Sequence, residues 1–170
     1  MEIDVLGPVV VAGSDARLGH RDRVILSALA LEPGEVLSPE SLADALWGET
    51  PPKSWPKVVQ GSMMRLRRAL GPHAIETTGT GYRLSVPDDD VDHVRFERLV
   101  ARARGFATVR EPARAVTTFE LALALWRGPP FSELDGWDAG RAEAARLTEV
   151  RRASEEELVE ARLAAGRPVE

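Results

Sequence analysis

The sequence predicts an α+β domain followed by an all-α helical-repeat domain. Apolar spacing has period two near the N-terminus, turns helical from Asp22, and returns to short extended runs over residues 74–86. Pro87-Asp88-Asp89-Asp90 then breaks the pattern, and every apolar stripe beyond it has helical spacing. We therefore divide the chain into residues 1–86, a linker at 87–90, and residues 91–170. With 170 residues, 44% hydrophobic and 29% charged, each part is long enough to bury a core.

Glu2 to Leu6 alternates polar and apolar residues, Gly7-Pro8 turns the chain into Val9-Val10-Val11, and Gly13-Ser14-Asp15 turns it again towards Ala16-Arg17-Leu18. This reads as a small antiparallel sheet. From Asp22, the residues Val24, Leu26, Ala28, Leu29 and Leu31 make a mostly buried helix that stops at Pro33-Gly34. A second helix starts with Ser38 as N-cap and Pro39 at its first position, buries Leu42, Ala45, Leu46 and Trp47, and ends at Gly48. Pro51-Pro52 makes a rigid connection to a third helix capped by Ser54 and terminated by Gly71-Pro72. Residues 74–78 and 81–86 are extended runs joined at Gly79-Thr80, a hairpin whose glycines are expected to supply positive φ.

The second part shows stripes at Phe96, Leu99, Val100 and Ala103, at Val116, Phe119, Leu123 and Trp126, and at Leu147, Val150, Leu158 and Ala161. Helices of about 15 residues joined by short loops fit stacked hairpins. Arg167-Pro168-Val169-Glu170 reads as the start of a further unit, which makes the chain part of a longer protein.

The third helix is amphipathic with a basic front. At about 100° per residue, Val59, Met63, Leu66 and Leu70 share one stripe, while Lys57, Gln60, Gly61, Met64, Arg65 and Arg68 face the other way. It lies in a run from Thr50 to Ile75 without Asp or Glu, in a chain with 27 acids. Random placement leaves such a window acid-free roughly one time in a hundred. Residues 1–86 carry nine basic and ten acidic side chains, and residues 87–170 thirteen and seventeen. The net charge of −5 thus sits mostly in the second part, and weak unaided binding to a polyanion is expected.

Other chemistries lack support. There is no cysteine, and His20, His73 and His93 show no ligand spacing, so neither a metal nor a cofactor is expected. Lys53 in Gly48-Glu-Thr-Pro-Pro-Lys-Ser54 is preceded by a proline, which has no N–H to offer a phosphate. No nucleophile, base or carboxylate pair has a catalytic setting, so an enzyme is not expected. No apolar run approaches the roughly 18 residues of a membrane span, and Met-Glu-Ile-Asp lacks the basic start of a signal peptide, which points to a cytoplasmic protein.

The order of the first part fits a helix-turn-helix followed by a hairpin wing, the second helix of the pair entering the major groove. Lys57 and Arg65 can reach guanine acceptors or phosphates, Gln60 can pair with adenine, and Met64 can touch a thymine methyl. Arg67 and Arg68 are assigned to phosphates, and Thr77, Thr78 and Thr80 to backbone contacts from the hairpin.

Three stretches carry a resemblance: Ser38-Pro-Glu-Ser-Leu-Ala-Asp-Ala-Leu-Trp47-Gly48, Met64-Arg-Leu-Arg-Arg-Ala-Leu-Gly71, and Thr80-Gly-Tyr-Arg-Leu84. Together they resemble the OmpR-type winged helix of the Streptomyces antibiotic regulatory protein (SARP) family. Ala122-Leu-Ala-Leu-Trp-Arg-Gly-Pro129 and the following Arg146-Leu147 helix resemble that family's TPR-like bacterial transcriptional activation domain. The resemblance implies a transcriptional activator that binds direct repeats in double-stranded promoter DNA, often of secondary-metabolism genes such as those for antibiotic biosynthesis. It also implies contacts with RNA polymerase and its sigma factor, and a homodimer or tandem occupancy. By position Arg65 and Arg67 match the paired arginines of the recognition helix, Lys57 a basic position near its start, and Tyr82 the aromatic that anchors the wing. Two positions depart from the relatives: Gly61-Ser62 stands where larger residues are usual, and Thr78 where an arginine is frequent. The alternatives are an interaction adaptor that works through the helical array, or the N-terminal part of a larger ATPase or phosphopeptide-binding regulator.

Overall fold

The computed structural model describes residues 2–14 and 16–166; Asp15 and the expected further unit at Arg167–Glu170 lie outside them. The strands β1 (Glu2–Asp4) and β2 (Val10–Ala12) pair antiparallel with Ile3 opposite Val11. The strand expected at residues 16–18 is not formed. At the edge of β1 away from β2, Val91, from the start of the second part, runs parallel alongside Ile3, and both are fully buried.

Helix α1 (His20–Leu29) is buried nearly all round from Asp22 onward, as its apolar run requires, and ends before Pro33 at Ala30. Helix α2 (Pro39–Trp47) starts as its sequence dictates, the Ser38 Oγ accepting from the Ser41 N–H at 3.1 Å. Leu42 and Ala43 are its buried residues, with Ala45, Leu46 and Trp47 half-buried at the rim. Helix α3 (Trp55–Leu70) buries Val59, Met63, Leu66 and Leu70, the predicted stripe, together with Ser62. Ser54 occupies its N-cap position, but the side chain makes no capping bond: ψ of 2° takes the residue out of the extended conformation in which a cap oxygen reaches back. The three helices pack on one another.

The wing is β3 (Ile75–Thr77) paired antiparallel with β4 (Tyr82–Leu84), Ile75 opposite Leu84. Its other edge is fastened to the α1–α2 connection: Leu37 N–H donates to Tyr82 O at 2.8 Å, Tyr82 N–H to Leu37 O at 2.9 Å, and Gly34 N–H to Leu84 O at 2.9 Å. Neither Gly79 nor Gly81 has positive φ, contrary to the expectation from the turn. Gly81 is there for space, since a Cβ would lie 2.0 Å from Leu37 O.

The second part contains α4 (Asp92–Thr108), α5 (Pro112–Leu123) and α6 (Asp138–Ala164), α5 packing against both others. The expected helices of about 15 residues are exceeded by α6, which runs for 27, about 40 Å. Its length follows from the lack of an interior proline and from Arg–Glu pairs such as Arg146–Glu143, Arg151–Glu155 and Arg152–Glu156. Trp126 falls beyond the end of α5 and meets Phe96 of α4 edge-on, ring centroids 5.3 Å apart.

The two parts share one continuous core. Residues 88–90 form a single 3-10 turn, and directly after it the buried Asp92 carboxylate accepts the N–H groups of Val5 and Leu6 at 2.8 and 2.9 Å. The loop after α5 returns to the same segment, Arg127 N–H donating to Leu6 O and Phe131 N–H to Val5 O. His93 Nε2 lies 2.7 Å from Ala30 O at the end of α1, and Trp137 Nε1 donates to Asp44 Oδ2 of α2 at 2.9 Å. Burial disfavours charge on both junction residues, which pushes Asp92 up to about 6 and holds His93 below its ordinary value. The helix-turn-helix is thus bolted to the helical part by hydrogen bonds along both α1 and α2.

Candidate nucleic-acid interface

The outward face of α3 is built by the same periodicity that buries its inner stripe. Lys57, Gln60, Met64, Arg65 and Arg68 are exposed and Gly61 half-exposed, in steps of three and four residues. Met64, at 66% exposure, is a large apolar side chain with no packing role. Lys57, Gln60 and Arg68 make no side-chain hydrogen bond or ion pair with any other described residue. Two cations and an amide are therefore offered along one row without intramolecular competition.

Arg65 is different. It was expected to turn outward to a base, but its Nε donates to Asp22 Oδ2 and its Nη2 to Asp22 Oδ1, both at 2.8 Å, and Nη2 also reaches Ser62 Oγ at 3.0 Å. The Asp22 side chain is 6% exposed, at the first turn of α1. Burial alone would raise that carboxyl, but the bonds from Arg65 and the neighbouring Ser62 outweigh it and hold Asp22 below the ordinary carboxylate value. A buried carboxylate takes a cationic partner wherever one can reach, which is why Arg65 lies back across α3.

Arg67 is half-buried and ties the helix to the wing: Nε donates to Ile75 O at 2.9 Å and Nη2 to Thr77 Oγ1 at 2.8 Å. This differs from the simple phosphate contact expected, since two of its nitrogens already hold β3. Thr77 accepts from Arg67 and keeps its own hydroxyl proton to donate. The Thr78 hydroxyl, expected on the DNA backbone, is spent inside the turn, accepting from Gly81 N–H at 3.1 Å and donating to Gly81 O at 3.2 Å. Thr80 is exposed at the tip. Glu76 of β3 pairs with Arg83 of β4 at 2.6 Å and accepts from Ser85, so the acid carried by the wing strands has a cationic partner beside it.

Asp22 was not singled out by the sequence, although an acid amid Val24, Ile25 and Leu26 on a buried helix signals a need for a partner. The tie from Arg67 to Thr77 had no sequence signal, because it depends on where the hairpin folds back.

Three helices with an acid-free outward face on the third, and a hairpin fastened beside it, define a winged helix-turn-helix domain; here it carries an all-α domain on its N-terminal sheet. Residues 13–84 match the family described as "Transcriptional regulatory protein, C terminal", and residues 91–170 match "Bacterial transcriptional activator domain". The chain belongs to the SARP family of transcriptional regulators. It is 33% identical to "Transcriptional regulator RedD" of Streptomyces coelicolor over 95% of this chain and 49% of that protein. It is 32% identical to "Regulatory protein DnrI" of Streptomyces peucetius over 98% of this chain and 66% of that one. The solved structure of Mycobacterium tuberculosis EmbR in complex with a low-affinity phosphopeptide superposes with a TM-score of 0.89 at 26% identity, covering 98% of this chain and 46% of EmbR. The chain therefore spans between about half and two thirds of the length of these relatives. No helix among the described residues is long and apolar enough to cross a membrane.

Proposed function

We propose that this chain is the DNA-binding and activating portion of a transcriptional activator that reads promoter DNA with α3 and engages RNA polymerase, sigma factor included, through other surfaces. The observation that carries the reading is the row Lys57, Gln60, Met64 and Arg68, exposed on the helix that a winged helix-turn-helix presents to the major groove. Lys57 and Arg68 neutralise phosphates, Gln60 and Met64 meet base edges, and Thr77 and Thr80 on the wing donate to the backbone. Arg67 holds the wing at a fixed distance from α3. The shared core and the hydrogen bonds of Asp92, His93 and Trp137 support a reading in which the helical part stays in register with the DNA-bound part, so that a polymerase contact made by α4 to α6 has a defined place relative to the promoter.

The chain is read as acting in the cytoplasm by contact rather than catalysis, on direct repeats occupied by two copies, with genes of secondary metabolism as targets; the match to a family described as a bacterial transcriptional activator domain supports the activator part of that reading. With so few unpaired cations on one face, a single copy binds weakly and a second adds to it. Anisotropy titration of the chain against a duplex selected from a random pool tests this. Binding that weakens steeply with salt and favours the selected duplex over a scrambled one is expected. An adaptor working only through its helical part would show neither.

A further inference from the structure

We infer that Asp22 is a positioning residue for DNA recognition, which clamps Arg65 so that only its Nη1 faces the DNA and its charge is withheld from the phosphates. The inference rests on the reading of α3 as the DNA-facing helix. Arg65 has five N–H donors. Nε spends one on Asp22 Oδ2, and Nη2 spends both of its own, on Asp22 Oδ1 and Ser62 Oγ. The two on Nη1 have no partner among the described residues. A bidentate contact to guanine O6 and N7 uses two nitrogens of the guanidinium, and the clamp leaves one. The ion pair also puts a negative charge 2.8 Å from the guanidinium, on a carboxylate that is 6% exposed, while the Arg65 side chain, 53% exposed, stays in contact with solvent on its outer side.

Gly61 belongs to the same device. A Cβ at position 61 would stand 3.3 Å from Arg65 Nη1, so the guanidinium lies back over the turn of α3 where a larger residue would crowd it. A glycine in the middle of a helix otherwise weakens the structure, and here it leaves the Arg65 guanidinium a few tenths of an ångström more room over the turn. With Arg65 restrained, sequence is read by Gln60 and Met64, and a mobile cation that would grip any phosphate is removed from the face. Asp22 thereby lowers affinity for arbitrary DNA and widens the margin for the proper site.

The test is anisotropy titration over a range of salt, with a selected and a scrambled duplex, for the wild type, Asp22→Asn, Arg65→Ala, Arg68→Ala and the double variant Asp22→Asn/Arg65→Ala, each checked for folding by circular dichroism. Freed by Asp22→Asn, Arg65 takes up one more phosphate. The plot of log affinity against log salt then steepens by about 0.9, which is about an eightfold gain on the scrambled duplex at 0.1 M salt. The selected duplex gains less, so discrimination falls, and the gain vanishes in the double variant. In parallel, Arg65→Ala flattens the salt dependence by less than half as much as Arg68→Ala, a comparison that does not need Asp22→Asn to fold. Asp22→Asn weakening both duplexes alike with an unchanged slope would show a mere strut and overturn the inference, as would Arg65→Ala flattening the slope as much as Arg68→Ala. Absence of salt-dependent binding in the wild type would instead remove the DNA-face reading itself, and the clamp's role with it.

Discussion

Substituting Gly81 by alanine attacks the fastening of the wing. The added Cβ would sit 2.0 Å from Leu37 O and 2.8 Å from Leu37 C, both backbone atoms that cannot turn aside, so β4 and the α1–α2 connection must separate. Separation by more than an ångström breaks the reciprocal pair between Leu37 and Tyr82, at 2.8 and 2.9 Å, and strains the Gly34–Leu84 bond. Two backbone hydrogen bonds at about 1 kcal/mol each, with some strain in addition, give a loss of about 2–3 kcal/mol. For a chain of this size that lowers Tm by roughly 5–10 °C. Thermal melting by circular dichroism measures it, and amide exchange localises it, with the Leu37 and Tyr82 amides losing protection before those of α4 and α5. A Tm within 2 °C of the wild type with both amides still protected would refute the argument that the glycine is required by close approach.

Met64→Ala should leave stability within about 0.5 kcal/mol, since the side chain is 66% exposed, yet weaken the selected duplex more than a scrambled one, as read in paired titrations. Arg67→Ala should lower stability by about 1–2 kcal/mol in denaturant unfolding, because it severs the bonds to Ile75 and Thr77, and should weaken DNA binding with little change in sequence preference. At the junction, Asp92 and His93 oppose each other as the solution is acidified. A carboxyl raised to about 6 is protonated in the folded state while still ionised in the unfolded chain, so it adds stability as pH falls from 7 to 5, by about 1 kcal/mol. His93, lowered by burial, is protonated first in the unfolded chain and so removes stability over the same range. Asp92→Asn keeps only the histidine's contribution. Its stability, followed by urea unfolding, should therefore fall more steeply between pH 7 and 5 than that of the wild type, and parallel curves would contradict the assignment.

Much of the fold was legible because it follows from period and punctuation. Ser38-Pro39 opened α2 where the cap rules place it, and Val59, Met63, Leu66 and Leu70 proved to be the buried stripe of α3. The failures are places where tertiary contact decides. Residues 16–18 are extended in pattern but form no strand beside β2, and the sheet is extended instead at its other edge, where Val91, 88 positions from Ile3 in the chain, lies alongside β1. Gly81 looked like a turn glycine and is a spacing glycine, a distinction that needs the position of Leu37. On the candidate interface, exposure of Lys57, Gln60, Met64 and Arg68 could be foreseen from helical spacing alone. The engagement of Arg65, Arg67 and Thr78 could not, because their partners sit on α1, β3 and across the wing turn.

Selection of duplexes from a random pool by the intact chain, followed by titration of the winner at several salt concentrations, shows whether α3 reads DNA. Enrichment of a repeated short motif is expected, with affinity that falls with salt and with loss of the enriched motif's advantage when Gln60 and Met64 are both replaced by alanine. An unenriched pool, or an advantage that survives the double replacement, would show that α3 is not the surface that reads DNA.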